Sequence, residues 1–474
     1  MLSIAPIKNS AYYADLASED YYNNDKEPAG QWAGKGAESL GLSGAVGKAD
    51  FAQLVSGHDA TGKALVRTAG RDNHRAGQDL CFSAPKSVTL TRRLASPELA
   101  EKIHQAELAA VAKALAFVES VAQTRTSPTN YQKIAGGVFA IYEHSTARAA
   151  EGQPPDPQDH YHCLMMSSAV CDDGKTRAID FRSVYQNKVV AGAVFQAELA
   201  NEMRLLGFGV EKDRWSFRIA GISPELERHF SKRGQQVKDA APENATALQL
   251  SVAAKSSRTA KGELDRAGLD VYWRKEAVEK FGIDEKRIDA MTNSAMTLSG
   301  RSNDSILRNL TKRKPYLTER DLTKAAALDC INSGRSLCER VESLKSAKGL
   351  NRVNDLQYSY TPTERSFAQR TATTIKQTLG VAMVSENLNG QGRAAPAAAG
   401  SGGMKGAGGT RYEMALAQEK EIELAIKLLD HLDPDFMAKL LKLSNALRQA
   451  GEQVVAAQVQ ATKKLVRESG GMEM

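Results

Sequence analysis

The chain has 474 residues, and its 63 lysine and arginine residues against 56 aspartate and glutamate residues give a net charge of +7. This length and a hydrophobic share of 42% allow two or three domains with a sizeable core, but no run of eighteen apolar residues occurs, which excludes a transmembrane span. The first residues lack the apolar core of a signal peptide and the five cysteines form no C-x-x-C pair, so we expect a cytoplasmic protein without disulfides or a thiolate zinc site.

Tyrosines are concentrated at the N-terminus. Four of the 13 tyrosines fall within the first 22 residues, as the doublets Tyr12-Tyr13 and Tyr21-Tyr22. Doublets at this spacing can present their phenols on one side of a helix. They are either aromatic anchors that pack an N-terminal helix onto the core, or covalent nucleophiles, because a phenol can attack an electrophilic centre. The sequence leaves both interpretations open.

Two glycine patterns follow, and neither predicts a nucleotide-binding site. The segment Gly57–Ala64 (GHDATGKA) differs from a P-loop at its last position, where Ala64 lacks the hydroxyl that would hold Mg²⁺, and a helix-like stretch precedes it instead of a strand. Gly34-Lys35-Gly36 lacks the third glycine of a dinucleotide fingerprint and is interpreted as a turn. We therefore expect no ATPase or helicase activity.

Residues 1–290 alternate strand-like runs with amphipathic helices. The runs Leu80–Leu90, Gly137–His144 and His160–Ser167 are rich in β-branched, aromatic and small apolar residues and predict strands. Apolar residues at helical spacing predict helices over Pro97–Val121 and Asn187–Leu206. Because the helices are spaced irregularly between the strands, the pattern favours an α+β fold with helices layered on a sheet over a strict βαβ repeat.

Three of the eight histidines fall on two of these predicted strands. Alternation along a strand puts His160 and His162 on one face of the run His160–Ser167. His144 ends the run Gly137–His144, and a proline-rich loop between the two runs allows them to pair antiparallel. Three converging imidazoles form an open metal site with positions left for water or substrate, whereas the alternative is ordinary packed or surface histidines. Asp79 could orient a ligating imidazole, or it is a solvated carboxylate at a strand end.

A basic segment extends from Lys255 to Lys275 (KSSRTAKGELDRAGLDVYWRK). Its side chains could grip a phosphate backbone, and Tyr272 and Trp273 could stack on bases. The basic residues concerned are Lys255, Arg258, Lys261 and Arg266. A solvated charged face is the commoner explanation of such a run.

The organisation changes after residue 290. Residues 291–386 are polar and mostly helical in pattern, and residues 387–410 form a Gly/Ala-rich linker that cannot bury a core. Residues 411–474 are strongly helical, with one break at Asp433-Pro434, and they predict a helical pair or short coiled coil that could mediate self-association. A marginal helical appendage is the alternative for this last segment.

Taken together, these features resemble the relaxase domain of conjugative plasmid relaxases of the TrwC/TraI type, the MobF family of the HUH endonuclease class. The strings that carry the resemblance are YYADLASEDYYNNDKE, QWAGKGAESLGLSG, DLCFSAPKSVTL, the histidine pattern H-x₁₅-H-Y-H and AVFQAELANEMRLLGF. The resemblance covers about residues 1–290, and residues 300–375 faintly resemble the segment that follows the relaxase domain in that family. Because the sequence holds no P-loop, we expect the helicase of such proteins to be absent or degenerate.

The resemblance implies a fold and a reaction. The fold is a palm-like antiparallel sheet with flanking helices, helical fingers over residues 238–280 and a mostly helical C-terminal region. The reaction is site- and strand-specific nicking at the origin of transfer, with a 5′-phosphotyrosyl intermediate, followed by strand transfer that ends conjugation. Tyr12 corresponds to the primary nucleophile and Tyr21 to the tyrosine of the second transfer, with Tyr13 and Tyr22 as their neighbours.

The resemblance also implies ligands and partners. His144, His160 and His162 would hold a divalent ion, described in the family as magnesium or manganese, although imidazoles suit zinc or nickel. Asp79 would orient a metal histidine and assist deprotonation of the tyrosine, and Lys86 and Arg148 are suited to phosphate contact. The expected partners are single-stranded DNA at the origin of transfer, a type IV secretion coupling protein and accessory relaxosome proteins. We expect a bacterial cytoplasmic protein that is exported to the recipient cell on its DNA.

Other functions remain as alternatives. A rolling-circle replication initiator or a single-strand transposase would use the same histidines and tyrosines. A catalytically silent DNA-binding accessory protein would need neither, and a three-histidine zinc hydrolase of small substrates would have no use for the tyrosine doublets.

Overall fold

A branched antiparallel sheet forms the centre of residues 2–180. The structure, a computed structural model, describes residues 2–7, 29–127, 129–257, 266–293, 298–312 and 314–360. The strands of this sheet are β1 (Leu2–Pro6), β2 (Gln31–Ala33), β3 (Gly77–Ser83), β4 (Gln123–Arg125), β5 (Tyr131–Lys133), β6 (Gly136–Thr146), β7 (Pro157–Val170) and β8 (Thr176–Asp180). Strand β7 pairs with β6, β3 and β8, β1 pairs with β3, and β2 pairs with β6, all of them antiparallel. The predicted α+β fold with an antiparallel sheet is confirmed.

Alternation along β7 separates two hydrophobic cores. Tyr161, Cys163 and Met165 point into the larger core, which the long helices cover, whereas Leu164 and Met166 belong to a smaller core on the opposite face. The helices of residues 29–293 are α1 (Lys35–Ser39), α2 (Lys48–Val55), α3 (Lys86–Leu94), α4 (Pro97–Val121), α5 (Arg182–Leu205), α6 (Pro224–His229), α7 (Lys232–Asp239), α8 (Ala247–Ser256), α9 (Arg266–Phe281) and α10 (Glu285–Ala290). A hairpin of β9 (Val210–Asp213) and β10 (Ser216–Ile219) follows α5. The smaller core leaves room on its face of the sheet for the histidines.

The predicted strand over Leu80–Leu90 is wrong in its second half. The strand ends at Ser83, and helix α3 begins at Lys86. Pro85 explains the change, because proline has no N–H to donate to a sheet ladder and suits the start of a helix. Val88, Leu90 and Leu94 then fall on the buried side of the helix. The apolar residues in the second half of the predicted strand are therefore core residues of a helix.

The long helices agree well with their sequence patterns. The predicted helix over Pro97–Val121 matches α4 at both ends, and the side chain of Ser96 accepts a hydrogen bond from the Leu99 amide to cap its first turn. The predicted helix over Asn187–Leu206 starts five residues earlier, at Arg182. Of the helices that the structure describes, none has the length and apolar composition that crossing a bilayer requires.

Residues 298–360 form a small layered unit that packs on α5. Its elements are α11 (Asn303–Thr311), β11 (Tyr316–Leu317), α12 (Glu319–Ser333), α13 (Leu337–Lys345), β12 (Leu350–Asn354) and β13 (Gln357–Tyr360). The three helices agree with the helical pattern, but the three short strands were not predicted. Ile306, Leu307, Leu317, Leu322 and Leu344 fill its core.

Several predicted segments lie outside the described residues. They are the tyrosine doublets, the linker at 387–410, the helical segment at 411–474 and part of the fingers at 238–280, of which the structure describes residues 238–257 and 266–280. The boundary at residue 290, between the predicted relaxase domain and the following region, stays a prediction.

Candidate functional site

The strand pairing brings three histidines together at one end of the sheet. His144 on β6 lies directly opposite His160 on β7, and His162 lies opposite both Tyr142 on β6 and Cys81 on β3. The ring centroids are 5.2 Å apart for His144 and His160, 4.9 Å for His144 and His162, and 5.2 Å for His160 and His162. One ligand atom from each ring lies within 4.8 Å of the others, which is close enough for a single cation to bind all three.

Hydrogen bonds fix the orientation of two of the rings. The Nδ1 atom of His160 donates to the carbonyl oxygen of Gln158 at 2.9 Å, because a carbonyl can only accept. The Nδ1 atom of His162 lies 2.8 Å from Oδ2 of Asp79. In a neutral imidazole whose Nδ1 donates, the remaining lone pair is on Nε2. Asp79 therefore occupies the position of a carboxylate that orients a metal-ligating imidazole.

Burial keeps His160 neutral. Removal from water, followed by the nearby charge of His162, lowers the pKa of His160 to about 4. The ring is therefore in the unprotonated form that a metal ion requires at neutral pH. A set of three imidazoles fits a divalent transition-metal ion and leaves coordination positions open.

A buried ionic network lies on the other face of β7, and the sequence did not reveal it. One guanidinium nitrogen of Arg92 on α3 lies 2.9 Å from Glu107, 2.8 Å from Glu143 and 3.5 Å from Asp159. Glu107 is completely buried, and the hydroxyl of Tyr161 donates to its Oε2 at 2.9 Å. Glu143 and Asp159 each precede a triad histidine, so this network holds the two histidine-bearing strands against α3 and α4.

Two more side chains complete the network. Arg93 donates to Asp159, and Nε2 of His104 lies 2.7 Å from Oε2 of Glu143. Burial disfavours ionisation of Glu143, but the hydrogen bond to His104 and the charge of Arg92 outweigh it and lower the pKa of Glu143 to about 2. For Glu107 burial dominates, with the charge of Asp159 adding to it, and raises its pKa to about 8. The pattern that could have signalled the network is the Arg92-Arg93 pair inside an otherwise buried helix.

Only some of the predicted DNA-contacting residues are described. Lys86 begins α3, where its ammonium donates to the carbonyl oxygen of Pro157, and burial lowers its pKa to about 8. Arg148 is half-buried just after β6. The side chains of the basic segment, Lys255, Arg258, Lys261 and Arg266, lie outside the described residues.

The expectation that Trp273 stacks on bases is wrong. Trp273 is only 2% exposed, and its Nε1 donates to the carbonyl oxygen of Pro155 at 3.1 Å. Helix α9 turns this side chain into the core, because an indole buries much apolar area while its N–H finds a backbone acceptor.

A wide basic groove runs beside the N-terminal ends of β3 and α5. Its volume is about 1380 Å³, and it extends from Ile7, just after β1, to Gln78 and Tyr185. The arginines that line it are Arg71, Arg75, Arg125 and Arg182. The sequence analysis did not single these residues out, because they are scattered over 112 positions and only the fold brings them together.

Comparison with known proteins identifies the family. The sequence model of the TrwC relaxase family matches residues 7–280, more than half of the chain. The chain belongs to the TrwC relaxase family. It is 31% identical over 304 residues to the multifunctional conjugation protein TraI of Escherichia coli strain K12, a match that covers 60% of this chain and 16% of that protein. A second Escherichia coli TraI is 30% identical over 303 residues, with the same coverage.

Solved structures of this family are also similar. The conjugative relaxase TrwC in complex with mutant oriT DNA superposes with a TM-score of 0.53 at 31% identity, and a copper-bound TrwC complex with oriT DNA gives 0.53 at 32%. Each match covers 60% of this chain and all of the solved chain. The similarity therefore concerns the relaxase portion, and this chain spans about one sixth of the TraI proteins.

Proposed function

We propose that this protein is a relaxase that cuts one DNA strand at the origin of transfer of a conjugative plasmid and later rejoins it. The observation that carries the proposal is the cluster of His144, His160 and His162, with Asp79 bonded to one ring, in a chain of the TrwC relaxase family. The similar solved structures are of the relaxase TrwC in complex with oriT DNA, which supports this substrate.

The histidine cluster would hold a divalent metal ion. When bound, such an ion supplies Lewis-acid stabilisation of the charge that develops on the scissile phosphate. His160 and His162 would offer Nε2, since their Nδ1 atoms bond to Gln158 and Asp79. The candidate ions are magnesium or manganese from the family and zinc or nickel from the donor set, and the copper-bound TrwC supports a site that takes a transition-metal ion.

Tyr12 is the proposed nucleophile, with Tyr21 acting in the second transfer and Tyr13 and Tyr22 beside them. Its phenol oxygen would bond to phosphorus as the bond from phosphorus to O3′ breaks, which yields a 5′-phosphotyrosine and a free 3′-OH. Asp79 is the proposed acceptor of the phenol proton, directly or through water. The phosphotyrosine keeps the phosphodiester energy, so rejoining needs no ATP.

The position of β1 supports this role for the N-terminal tyrosines. Ala5 on β1 pairs with Asp79 on β3, so the chain leaves the sheet next to the carboxylate that holds His162. Tyr12 follows Ile7 by five residues, which can span at most about 18 Å. This tether length is compatible with a first doublet that acts at the histidines, and the second doublet, nine residues further on, has a longer tether.

Single-stranded DNA is the ligand that we propose for the basic groove. Its four arginines would bind phosphates of the strand, with Arg125 and Arg182 exchanging their ion pairs with Asp180 for phosphate contacts. Arg148 and the basic segment Lys255, Arg258, Lys261 and Arg266 remain proposed contacts. Lys86 would reach a phosphate only by giving up its bond to Pro157.

Partners and location follow from the family alone. We propose that the protein works in the bacterial cytoplasm with accessory relaxosome proteins and a type IV secretion coupling protein, and reaches the recipient cell bound to DNA. Residues 411–474 are proposed to mediate self-association. Truncation after residue 386 would test this last point, since an unchanged oligomeric state would contradict it.

A nicking assay tests the proposed reaction. Labelled single-stranded oligonucleotides covering the origin of transfer of the host replicon are incubated with the wild type and the variants Tyr12→Phe and His160→Ala, with Mg²⁺ or Mn²⁺ and then with EDTA. We expect a covalent protein–DNA adduct that requires metal and disappears in both variants. Tyr316→Phe and His58→Ala, which alter a tyrosine and a histidine outside the proposed site, should retain the adduct.

The outcomes separate the alternatives. An adduct that persists in Tyr12→Phe would move the nucleophile to Tyr13 or to the second doublet. DNA binding without any adduct, in every metal, would contradict the enzymatic proposal and favour the silent DNA-binding protein.

A further inference from the structure

The unit formed by residues 302–360 has the topology of a winged helix-turn-helix domain. Its elements follow the order helix, strand, helix, helix, strand, strand, from α11 to β13. In the small sheet, β13 lies between β11 and β12 and is antiparallel to both. This order places a two-stranded wing, β12 and β13, beside a pair of helices, α12 and α13, which is the arrangement of many duplex-binding modules.

The connection between α12 and α13 has the features of a helix-turn-helix. Helix α12 ends at Gly334 in the left-handed conformation, with φ 63° and ψ 13°, and only Arg335 and Ser336 separate it from α13. A completely buried ion pair fixes the two helices to each other, because Nε of Arg340 on α13 donates to Oδ2 of Asp329 on α12 at 2.8 Å. The second helix is therefore presented at a fixed angle.

The charge of this unit suits nucleic acid. Residues 302–360 contain 11 lysine and arginine residues against seven aspartate and glutamate residues, a net charge of +4, where the whole chain has +7. Arg335 at the turn and Arg352 on the wing are exposed, and Lys348 lies between them in the chain. Glu339 and Glu342 are also exposed on α13, and they would repel phosphates and so hold non-specific affinity down.

The unit is anchored to the rest of the protein chiefly through α12 and the turn that follows it. Arg204 on α5 donates to the carbonyl oxygen of Ile331, and Asn201 donates to that of Arg335 at 3.1 Å. Cys330 and Ile331 on α12 are buried in the large core beneath α5. Because α12 faces the protein, the exposed side of α13 and the wing remain available.

We propose that residues 302–360 bind double-stranded DNA, with α13 in the major groove and the β12–β13 wing against the phosphate backbone. This goes beyond the proposed nicking reaction, which acts on a single strand. The unit would hold the duplex that adjoins the nicked strand, at a position fixed by α5.

Fluorescence anisotropy with the full-length protein tests the proposal. The probe is a labelled 20-base-pair duplex that lacks any transfer origin, titrated at several salt concentrations. For Arg335→Ala/Arg352→Ala we expect affinity to fall by about tenfold and the salt dependence to weaken by about two phosphate contacts. The control Lys102→Ala/Lys286→Ala removes the same charge from exposed positions on α4 and α10 and should leave both quantities unchanged.

A gain-of-binding variant protects the test against misfolding. Glu339→Lys should tighten duplex binding severalfold and steepen the salt dependence by about one contact. An equal loss of duplex affinity in the control variant would overturn the proposal. So would a duplex affinity that is unchanged both in Arg335→Ala/Arg352→Ala and in Glu339→Lys. Nicking of single-stranded oligonucleotides should be normal in all of these variants, so failure of this proposal is distinguishable from failure of the proposed reaction.

Discussion

The buried network beneath the histidines makes a prediction about pH and stability. Glu107 is completely buried and its pKa is raised to about 8, so the folded protein retains a proton that the unfolded chain has released above about pH 4.5. The contribution of this group to the free energy of unfolding is therefore largest at low pH, and it decreases as the pH rises toward 8. From these two pKa values, the loss between pH 5 and pH 7 amounts to about 2 to 3 kcal/mol.

Glu107→Gln removes this dependence. Among the described residues no group hydrogen-bonds Oε1 of Glu107, so a glutamine can put its NH₂ there and keep the bonds from Tyr161 and Arg92 on the other oxygen. Glutamine thus imitates the protonated carboxyl at every pH. We expect the stability of the variant relative to wild type to rise by about 2 to 3 kcal/mol between pH 5 and pH 7.

Urea unfolding at the two pH values measures the difference. The fluorescence of Trp32 and Trp273, which are 9% and 2% exposed, reports loss of the core. Glu101→Gln is the matched control, because Glu101 is exposed on the same helix and its pKa is lowered, so it is ionised in both states over this range. A stability difference for Glu107→Gln that is the same at both pH values would show that Glu107 is ionised and refute the reasoning.

Three further predictions concern other parts of the protein. Asp79→Asn should weaken metal binding about 10- to 100-fold, measured by calorimetry, because His162 loses the carboxylate that orients it, and unchanged affinity would contradict this role. Arg340→Ala should lower the free energy of unfolding by about 3 to 5 kcal/mol, since the buried carboxylate of Asp329 then keeps only the more distant Arg301 as a cationic partner, and chemical denaturation checks it. Gly207→Ala should cost about 2 to 4 kcal/mol in the same assay, because φ is 89° there and a Cβ would lie 1.9 Å from a backbone oxygen.

The histidine cluster could be predicted from the sequence because it depends on short-range rules. Alternation puts His160 and His162 on one face, and a hairpin between neighbouring strands brings in His144. The helix over Pro97–Val121 was predictable for the same reason, since its periodicity and its serine cap are local.

The features that escaped prediction depend on distant parts of the chain. Arg92 meets Glu143 and Asp159 across 51 and 67 positions, and no local pattern marks such a contact. The burial of Trp273 likewise depends on where α9 packs. The short strand β11 has only two residues, which are too few to show the alternation of apolar and polar residues that marks a strand in a sequence.

The alternation of side chains along β7 also determines where the chain can accept inserted or deleted residues. Inserting one residue between His160 and His162 would put the two imidazoles on opposite faces of β7, one of them toward the large core. The turn between β6 and β7, residues 147–156, carries no triad member and could gain or lose residues without that exchange. Natural length variation in such proteins should therefore concentrate in this turn and spare the strand. A variant with one alanine inserted after Tyr161 should lose metal binding, while one with an alanine inserted after Gly152 should keep it.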